Sequence, residues 1–137
     1  NKIPVYTAEA LSVINPNKVI VVGDTTAVSE NVYSQLKNPE RISGRDYYDT
    51  SVQVARYFGA DAKRIIIVTG KNWPDALAGS GLAAKFKSPT LYVADGLSPE
   101  VTEYLTQSIS LKPDINILGG DVAVPTDVKQ AIDKIFK

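Results

Sequence analysis

The stretch that decides the fold is Arg64-Ile-Ile-Ile-Val-Thr-Gly-Lys-Asn-Trp-Pro-Asp-Ala-Leu-Ala-Gly-Ser-Gly-Leu-Ala-Ala-Lys85. Its β-branched run, Ile65 to Val68, is wholly apolar, which is typical of a strand buried on both faces. Pro74 suits a first helical position, because its missing N–H would be unpaired there and its φ is already helical. The stretch therefore predicts a buried strand, a loop and a helix. The loop follows the carboxyl end of the strand, where open α/β sheets bind ligands.

The helix predicted after Pro74 is rich in small residues, including Gly79 and Gly81. A glycine inside a helix costs roughly 1 kcal/mol relative to alanine. Close approach of the helix backbone to a neighbouring element would offset that cost. We therefore expect both glycines to lie at a tight packing contact, so that Gly81→Leu would overpack it and destabilise the fold.

The composition excludes several classes of protein. The 137 residues include no cysteine, histidine or methionine, and the formal net charge is zero. The absence of cysteine and histidine excludes disulfides, thiolate metal sites and the commonest general base. A zero net charge lacks the basic footprint of most nucleic-acid-binding domains. No apolar run approaches the ~20 residues of a membrane span, and a start without methionine suggests a piece of a longer protein.

Apolar runs and helical patterns alternate along the chain. Because strands that alternate with helices form parallel sheets, the sequence predicts an α/β fold with a mostly parallel sheet flanked by helices. Pro4–Tyr6 is a further strand candidate, and a helix carrying Val54 and Phe58 inward is expected to be capped by Asp49 or Thr50. The four principal predicted strands are Val19–Val22, Ile65–Val68, Thr90–Val93 and Ile115–Leu118.

An internal repeat relates two parts of the chain. Residues 19–28 (VIVVGDTTAV) match residues 115–124 (INILGGDVAV) at an offset of 96. A weaker similarity relates Pro4–Tyr6 to residues 89–92. We interpret residues 1–40 as the rear half of one repeat and residues 41–137 as one complete repeat, packed as one compact α/β unit. The alternative is that any two α/β units look alike.

Three motifs give the chain a family resemblance. They are Arg41-Ile-Ser-Gly-Arg-Asp-Tyr-Tyr-Asp-Thr50, then Thr69-Gly-Lys-Asn-Trp-Pro-Asp-Ala-Leu-Ala78, and finally Ile117-Leu-Gly-Gly120 with Ala123-Val124. Together they resemble the cell-wall-binding repeat 2 family of Gram-positive surface proteins and autolysins. The chain departs from the family pattern at Tyr47, where arginine is usual, and at Pro89-Thr-Leu-Tyr92, where several members have a Pro-Ile-Leu-Leu-type strand.

The resemblance implies a Toprim-like or Rossmann-like three-layer module, present in tandem copies that assemble as a trimer of modules. It also implies non-covalent attachment to an anionic secondary cell-wall polymer, at the extracellular cell surface and in S-layer-associated proteins. The module itself would be non-catalytic and require no cofactor or metal. A longer protein around it can carry an enzymatic domain such as an amidase.

The candidate ligand-binding residues are bases and aromatics of the complete repeat and its variable strand. Eight bases and four acids lie between Arg41 and Lys87, whereas four bases and seven acids follow from Ser88 onward. A basic segment of this kind attracts phosphate- or uronate-bearing polymers, and arginine grips such groups bidentately. The candidates are Arg41, Arg45, Lys71, Asn72, Trp73, Thr90, Leu91 and Tyr92.

Each candidate has a plain structural alternative. Arg41 or Arg45 can instead pair with Asp46 or Asp49 to fix a loop. Trp73 can cover the edge of the sheet instead of stacking on a sugar, and the tyrosines, with Tyr47 and Tyr48 beside Tyr92, present the same choice.

Two rival functions belong to other classes. Asp24, Asp75, Asp95 and Asp121 follow predicted strands, where carboxylates can hold Mg²⁺ for phosphotransfer, although such residues also cap helices and shape turns. The other rival is an interaction-only module that oligomerises through its repeats. No nucleic-acid partner is expected for any of these functions.

Overall fold

The first unit of the chain is built around a pair of parallel strands. The computed structural model describes residues 2–59 and 61–137, and the chain divides into the units Asn1–Ser43 and Gly44–Lys137. The first unit contains helix α1, strand β1, the short helix α2 and strand β2, in that order. They span Val5–Ile14, Val19–Val22, Glu30–Tyr33 and Pro39–Ile42.

The second unit has a three-stranded parallel sheet with the deciding stretch at its centre. Strand β3, Arg64–Thr69, lies between the other two strands in the order β4-β3-β5. The α/β class and the parallel pairing are therefore confirmed. The remaining elements are α3 (Tyr47–Phe58), α4 (Pro74–Phe86), β4 (Thr90–Val93), α5 (Pro99–Gln107), a 3-10 turn (Ile109–Leu111), β5 (Asp114–Leu118) and α6 (Thr126–Ile135).

The core of the second unit lies on one face of this sheet. Ile65 and Ile67 of β3 are fully buried there, together with Leu91 of β4. Helices α3, α5 and α6 pack onto that face through apolar side chains that include Val52, Leu105 and Val128. Ile66 and Val68 point to the opposite face, are also fully buried, and lie on the side that α4 contacts. The run Ile65–Val68 is thus buried on both faces, as predicted.

Pro4–Tyr6 is not a strand. Pro4 is the N-cap of α1, and Val5 and Tyr6 form its first turn. Proline is compatible with the start of a helix, where no N–H is needed, so Val5 and Tyr6 continue into helix α1 instead of forming a strand. The weaker similarity to residues 89–92 is therefore wrong in structural terms, because Thr90–Val93 is a strand.

Helix α3 begins earlier than predicted and buries a different face. Asp46, and neither Asp49 nor Thr50, is its N-cap, since the Asp46 carboxylate accepts a hydrogen bond from the Asp49 amide at 2.8 Å. Phe58 is 64% exposed. The buried side chains of the helix are Asp49, Ser51, Val52 and Ala55.

Only one of the two glycines of α4 lies at a close contact. A Cβ on Gly79 would overlap Leu118 Cδ1 of β5, whereas a Cβ on Gly81 would meet nothing within 4 Å. Gly79 therefore permits the approach of α4 to the sheet. The expectation that Gly81 does the same is wrong, because Gly81 is on the exposed side of the helix.

The repeat is visible in the turns that follow β1 and β5. Gly23 and Gly119 are 96 residues apart and have φ of 117° and 114°. In both turns a later amide closes the loop: Val28 N–H donates to Asp24 O at 2.9 Å, and Val124 N–H donates to Gly120 O at 2.9 Å. Each of these φ values lies outside the left-handed helical region that other residues can enter and is readily adopted only by glycine, which explains why glycine stands at both positions.

Candidate functional site

Three tyrosines gather at the carboxyl end of the three-stranded sheet, and we call Tyr47, Tyr48 and Tyr92 the tyrosine platform. Tyr47 and Tyr48 open helix α3, and Tyr92 lies near the end of β4. The strand end makes room for them, because a Cβ on Gly70 would lie 2.6 Å from Tyr48 Cε1 and 2.7 Å from Tyr47 Cε2. Gly70 is thus required for the tyrosine rings to lie against the end of β3.

The rings of the platform form one connected surface. The ring centroids of Tyr47 and Tyr48 are 4.2 Å apart, and Tyr92 meets Tyr47 edge-on at 6.4 Å. The Tyr47 and Tyr48 hydroxyls are hydrogen-bonded to each other at 2.9 Å. This hydrogen bond, together with burial, raises the pKa of Tyr48 to about 12, so Tyr48 keeps its proton, and with it the hydrogen bond, well above neutral pH.

The platform offers both apolar and polar contacts to a ligand. Tyr47 is 50% exposed, so part of its ring is available from solvent. Tyrosine combines a large apolar face with a polar tip. That combination matches a sugar ring, which has one apolar face and hydroxyl groups at its rim.

The buried carboxylate of Asp49 fixes the loop that leads into the platform. It accepts from the Arg45 amide at 3.0 Å and from Gln53 Nε2 at 2.9 Å. These hydrogen bonds, that of Gln53 first, lower the pKa of Asp49. A Cβ on Gly44 would lie 2.5 Å from Asp49 Cγ, so Gly44 allows the loop to close over this carboxylate.

Arg45 lies beside the platform and is paired with acids. Its Nε is 3.7 Å from Asp49 Oδ2, and its Nη2 contacts Glu100 of α5. The pairing with Asp49 is the local alternative that the sequence allowed. The Arg45 side chain is nevertheless 71% exposed, so much of the guanidinium faces solvent.

Lys71, Asn72 and Trp73 form the loop between β3 and α4. The Lys71 amide donates to Thr69 Oγ1 at 3.1 Å, and its ammonium pairs with Asp95 in the loop after β4. Asn72 is exposed, and Trp73, the N-cap of α4, is 73% exposed. Trp73 therefore does not cover the sheet edge as a core residue.

Arg41 has a different environment in the first unit. Its Nη1 donates to Gly23 O at 2.8 Å and to Asp24 O at 3.1 Å. Its guanidinium carbon lies 4.6 Å from the centroid of the Tyr33 ring, and Nη2 is 3.4 Å from Glu30 Oε2. With a side chain only 16% exposed, Arg41 joins the end of β2 to the turn after β1.

Thr90 and Leu91 do not join the platform. Leu91 is fully buried in the core, so its side chain has no exposed surface with which to contact a polymer. Thr90 is the first residue of β4, at the strand end opposite the platform. Because side chains alternate along a strand, Leu91 and Tyr92 of the variable strand point to opposite faces.

Of the four carboxylates considered for Mg²⁺, three accept hydrogen bonds from or pair with nearby residues, and the fourth lies in the first turn of a helix. Asp24 accepts from the hydroxyl of Thr26 at 2.7 Å and from the amide of Ala27 at 3.0 Å, which lowers its pKa. Asp95 pairs with Lys71, Asp121 pairs with Lys129 at 2.5 Å, and Asp75 lies in the first turn of α4. Among residues 2–59 and 61–137, no three His, Cys, Asp or Glu side chains group as metal ligands do.

Sequence reasoning missed the acids that organise this site. Asp95 pairs with Lys71 and Glu100 pairs with Arg45, and neither pairing was predicted, whereas Asp49 was a predicted alternative partner of Arg45. The spacing Asp46-x-x-Asp49 was an available signal, because an N-cap carboxylate accepts from the amide three residues later. No local pattern indicates that Glu100 meets Arg45, 55 residues away in sequence.

Comparisons with known proteins identify the family of the chain and several of its relatives. The family model "Cell wall binding domain 2 (CWB2)" matches residues 41–129. The chain is 32% identical over 80 residues, 58% of its length, to N-acetylmuramoyl-L-alanine amidase LytC of Bacillus subtilis. It is 27% identical over 124 residues, 88% of its length, to the amidase enhancer of the same bacterium.

A solved structure of similar fold belongs to Cwp6 from Clostridium difficile. It superposes with a TM-score of 0.88 at 27% identity and covers 98% of the chain. The chain spans 16% of LytC, 17% of the amidase enhancer and 22% of Cwp6. No helix of the described residues is long and apolar enough to cross a bilayer. The chain belongs to the cell wall binding domain 2 family.

Proposed function

We propose that the chain is a non-catalytic module that anchors a longer protein to the cell wall by holding an anionic secondary wall polymer. The observation that carries the proposal is the half-exposed tyrosine platform, with Arg45 and Lys71 beside it at the carboxyl end of the sheet. In parallel α/β folds this end of the sheet is the usual ligand site.

The platform and the two bases suit different parts of such a polymer. The exposed ring of Tyr47 provides a stacking surface for a sugar, and Arg45 provides a planar donor for a phosphate or carboxylate. Both Arg45 and Lys71 are ion-paired with acids of the module, so a polymer anion replaces an existing partner. Each contact is therefore weak, and several repeats in one protein raise the overall affinity through effective concentration.

The proposal places the protein outside the cell, at its wall. The polymer carries many negative charges, so binding is expected to decrease as salt rises and screens the charges. Asn72 extends the same exposed loop and completes the proposed contact surface.

The experiment is a binding assay on purified Gram-positive cell walls, before and after acid extraction of their secondary polymer. Wild-type protein is expected to sediment with intact walls and to stay in solution with extracted walls. Tyr47→Ala should weaken binding about tenfold, which is the effect of losing one stacking contact of roughly 1–1.5 kcal/mol. Tyr57→Ala is the matched control, because Tyr57 lies on the same helix, is 43% exposed, and meets the Phe58 ring edge-on outside the platform.

Two results would contradict the proposal. One is equal sedimentation of wild-type protein with intact and extracted walls. The other is equal loss of binding in Tyr47→Ala and Tyr57→Ala, with both variants folded by circular dichroism.

Contact with sister repeats is a second proposed role, and the outer face of α4 favours it. Trp73 is 73% exposed and Leu77 is 74% exposed, and residues four apart lie side by side on a helix. Large apolar side chains placed together on a surface mark interaction sites. We infer that sister repeats pack here, as in a trimer of modules, and Leu77→Asp should then abolish any concentration-dependent association seen by sedimentation velocity.

A further inference from the structure

In the first unit, strand β2 is hydrogen-bonded along one edge of strand β1. Strand β2 pairs with β1 in parallel, with Val19 opposite Pro39 and Val22 opposite Ile42. The amide of Val19 donates to Asn38 O at 3.4 Å, and the amide of Gly23 donates to Ile42 O at 2.9 Å. Amides of β1 at alternate positions, 19, 21 and 23, thus face β2.

Arg41 of β2 holds the two strands together at the carboxyl end of β1. Its two hydrogen bonds go to the carbonyls of Gly23 and Asp24, in the turn that follows β1. The turn therefore provides one amide for the incoming backbone and two carbonyl oxygens for the arginine. Tyr33 adds a hydrogen bond from its hydroxyl to Pro39 O at 2.8 Å.

In the second unit, strand β5 and the turn that follows it correspond to β1 and its turn. Positions 115, 117 and 119 correspond to 19, 21 and 23 at the repeat offset. The amide of Asp114 donates to Lys63 O, before β3, at 2.9 Å. Since successive amides of a strand alternate in direction, those of Ile115 and Ile117 face away from β3, as does the Gly119 amide in the turn.

No strand pairs with this outer edge in the described part of the chain, where β5 pairs with β3. The opposite edge of the sheet differs, because the amide of Tyr92 in β4 donates to Ser51 Oγ of α3 at 3.1 Å. A helix thus covers the β4 edge. An uncovered strand edge is a template for pairing with another strand.

The charges around the β5 edge suit an arginine at its far end. Asp75 Oδ2 lies 2.8 Å from the point where a Cβ of Gly119 would be, so a carboxylate stands beside the turn that would receive the guanidinium. At the near end the charge is reversed relative to the first unit. Lys18 pairs with Glu40 there, whereas the corresponding position in the second unit is Asp114, which pairs with Arg64 of β3 at 3.3 Å and is 72% exposed.

We propose that the outer edge of β5 binds the first strand of a second repeat, in parallel, with the pattern Pro-x-Arg-Ile-Ser-Gly seen at residues 39–44. The second repeat's strand lies opposite Ile115–Leu118, and its arginine donates to the carbonyls of Gly119 and Gly120. A base at the position of Glu40 adds a second cation beside Asp114, next to Arg64. Successive repeats are thereby joined through shared sheets, independently of polymer binding.

The test uses three synthetic peptides of residues 38–45, acetylated and amidated: the native sequence, a Glu40→Lys version and an Arg41→Ala version. The readout is hydrogen exchange and amide chemical shift in the ¹⁵N-labelled protein. We expect slowed exchange and shifted signals at Ile115, Ile117 and Gly119, and no change at Tyr92. The Glu40→Lys peptide should bind several-fold more tightly than the native one, because it places a cation beside Asp114. The Arg41→Ala peptide should bind at least fivefold more weakly.

A tethered version keeps the test decisive if a free peptide binds too weakly to detect. The same octapeptide is joined to Lys137 through a flexible Gly/Ser linker, which gives an effective concentration on the order of millimolar. Protection of the Gly119 amide in the tethered chain, lost in its Arg41→Ala version, supports the proposal. Unchanged exchange at Gly119, or equal protection by a scrambled octapeptide, overturns it.

Discussion

Arg41 and Arg45 belong to one short motif, yet they lie in opposite kinds of environment. Arg41 is 16% exposed, and its hydrogen bonds to Gly23 and Asp24 join two pieces of backbone in the first unit. Arg45 is 71% exposed and lies beside the tyrosine platform in the second unit. A buried arginine that satisfies backbone carbonyls holds the fold together, whereas an exposed one remains available to a ligand.

The two arginines of the motif Arg41-Ile-Ser-Gly-Arg45 therefore have different roles. Its first arginine completes a strand edge and its second borders a binding surface. Gly44 stands between them because the Asp49 carboxylate leaves no space for a Cβ. We expect variants of the two arginines to differ accordingly, in stability for the first and in wall binding for the second.

The largest expected effect is that of Arg41→Ala on the first unit. The change removes two charged hydrogen bonds to backbone carbonyls and the contact with the Tyr33 ring. We expect a loss of about 3 kcal/mol in the free energy of opening, on the scale of charge-assisted hydrogen bonds. Hydrogen exchange of the Gly23 amide measures it. Opening of this amide at the wild-type rate would show that Arg41 does not hold β2 in place.

Gly70→Ala is expected to have the next largest effect, on the platform. The added Cβ meets both tyrosine rings at the end of β3, and forced overpacking costs about 1–3 kcal/mol. Thermal unfolding and near-UV circular dichroism of the tyrosines measure the loss. Gly96→Ala is the control, because a Cβ there meets nothing within 4 Å. Equal melting temperatures for the two variants would contradict the packing account.

Asp49→Asn tests the loop between the two arginines. We expect a loss of about 1–2 kcal/mol at neutral pH, because the carboxylate accepts from the Arg45 amide and from Gln53. The pKa of Asp49 is lowered in the folded state, so its stabilisation is present above the ordinary value of 3.8 and is lost as the pH falls through the folded-state pKa. Urea unfolding from pH 7 to pH 3 should show the difference between wild type and variant shrinking below pH 4. A constant difference would mean that the charge of Asp49 is not what stabilises the loop.

Arg45→Ala is expected to have the smallest effect on stability. The Arg45 side chain is 71% exposed, although the side chains of Asp49 and Glu100 are only 9% and 22% exposed. Ion pairs with a solvent-exposed member contribute roughly 0–1 kcal/mol. Urea unfolding at low and high salt measures this contribution. A loss comparable to that of Arg41→Ala would remove the distinction between the two arginines.

The strands were predictable from the sequence because their signal is local. Ile65–Val68 is a continuous apolar run, and the strand after Pro113 ends at a glycine pair. The partners of side chains were not predictable in the same way. Both arginines carry the same charge and flank the same glycine, and only the fold places Gly23 and Asp24 at Arg41 and Glu100 at Arg45.

The prediction that Gly81 lies at a close contact was wrong for a similar reason. Gly79 and Gly81 are two residues apart, so they lie on different sides of the helix. The sequence indicates that a small-residue helix packs closely, but it does not indicate which side faces Leu118. Likewise, the proline of Pro4–Tyr6 is compatible with a strand edge or with a helix start, and the following residues decide for a helix.

The most direct test of the account compares wall binding by Arg41→Ala and Arg45→Ala at a temperature where circular dichroism shows both to be folded. Binding isotherms on purified walls are expected to be unchanged for Arg41→Ala and about fivefold weaker for Arg45→Ala, with the remaining binding less sensitive to salt. The opposite order, with Arg45→Ala at wild-type strength and folded Arg41→Ala unable to bind, would contradict the placement of the polymer at the tyrosine platform.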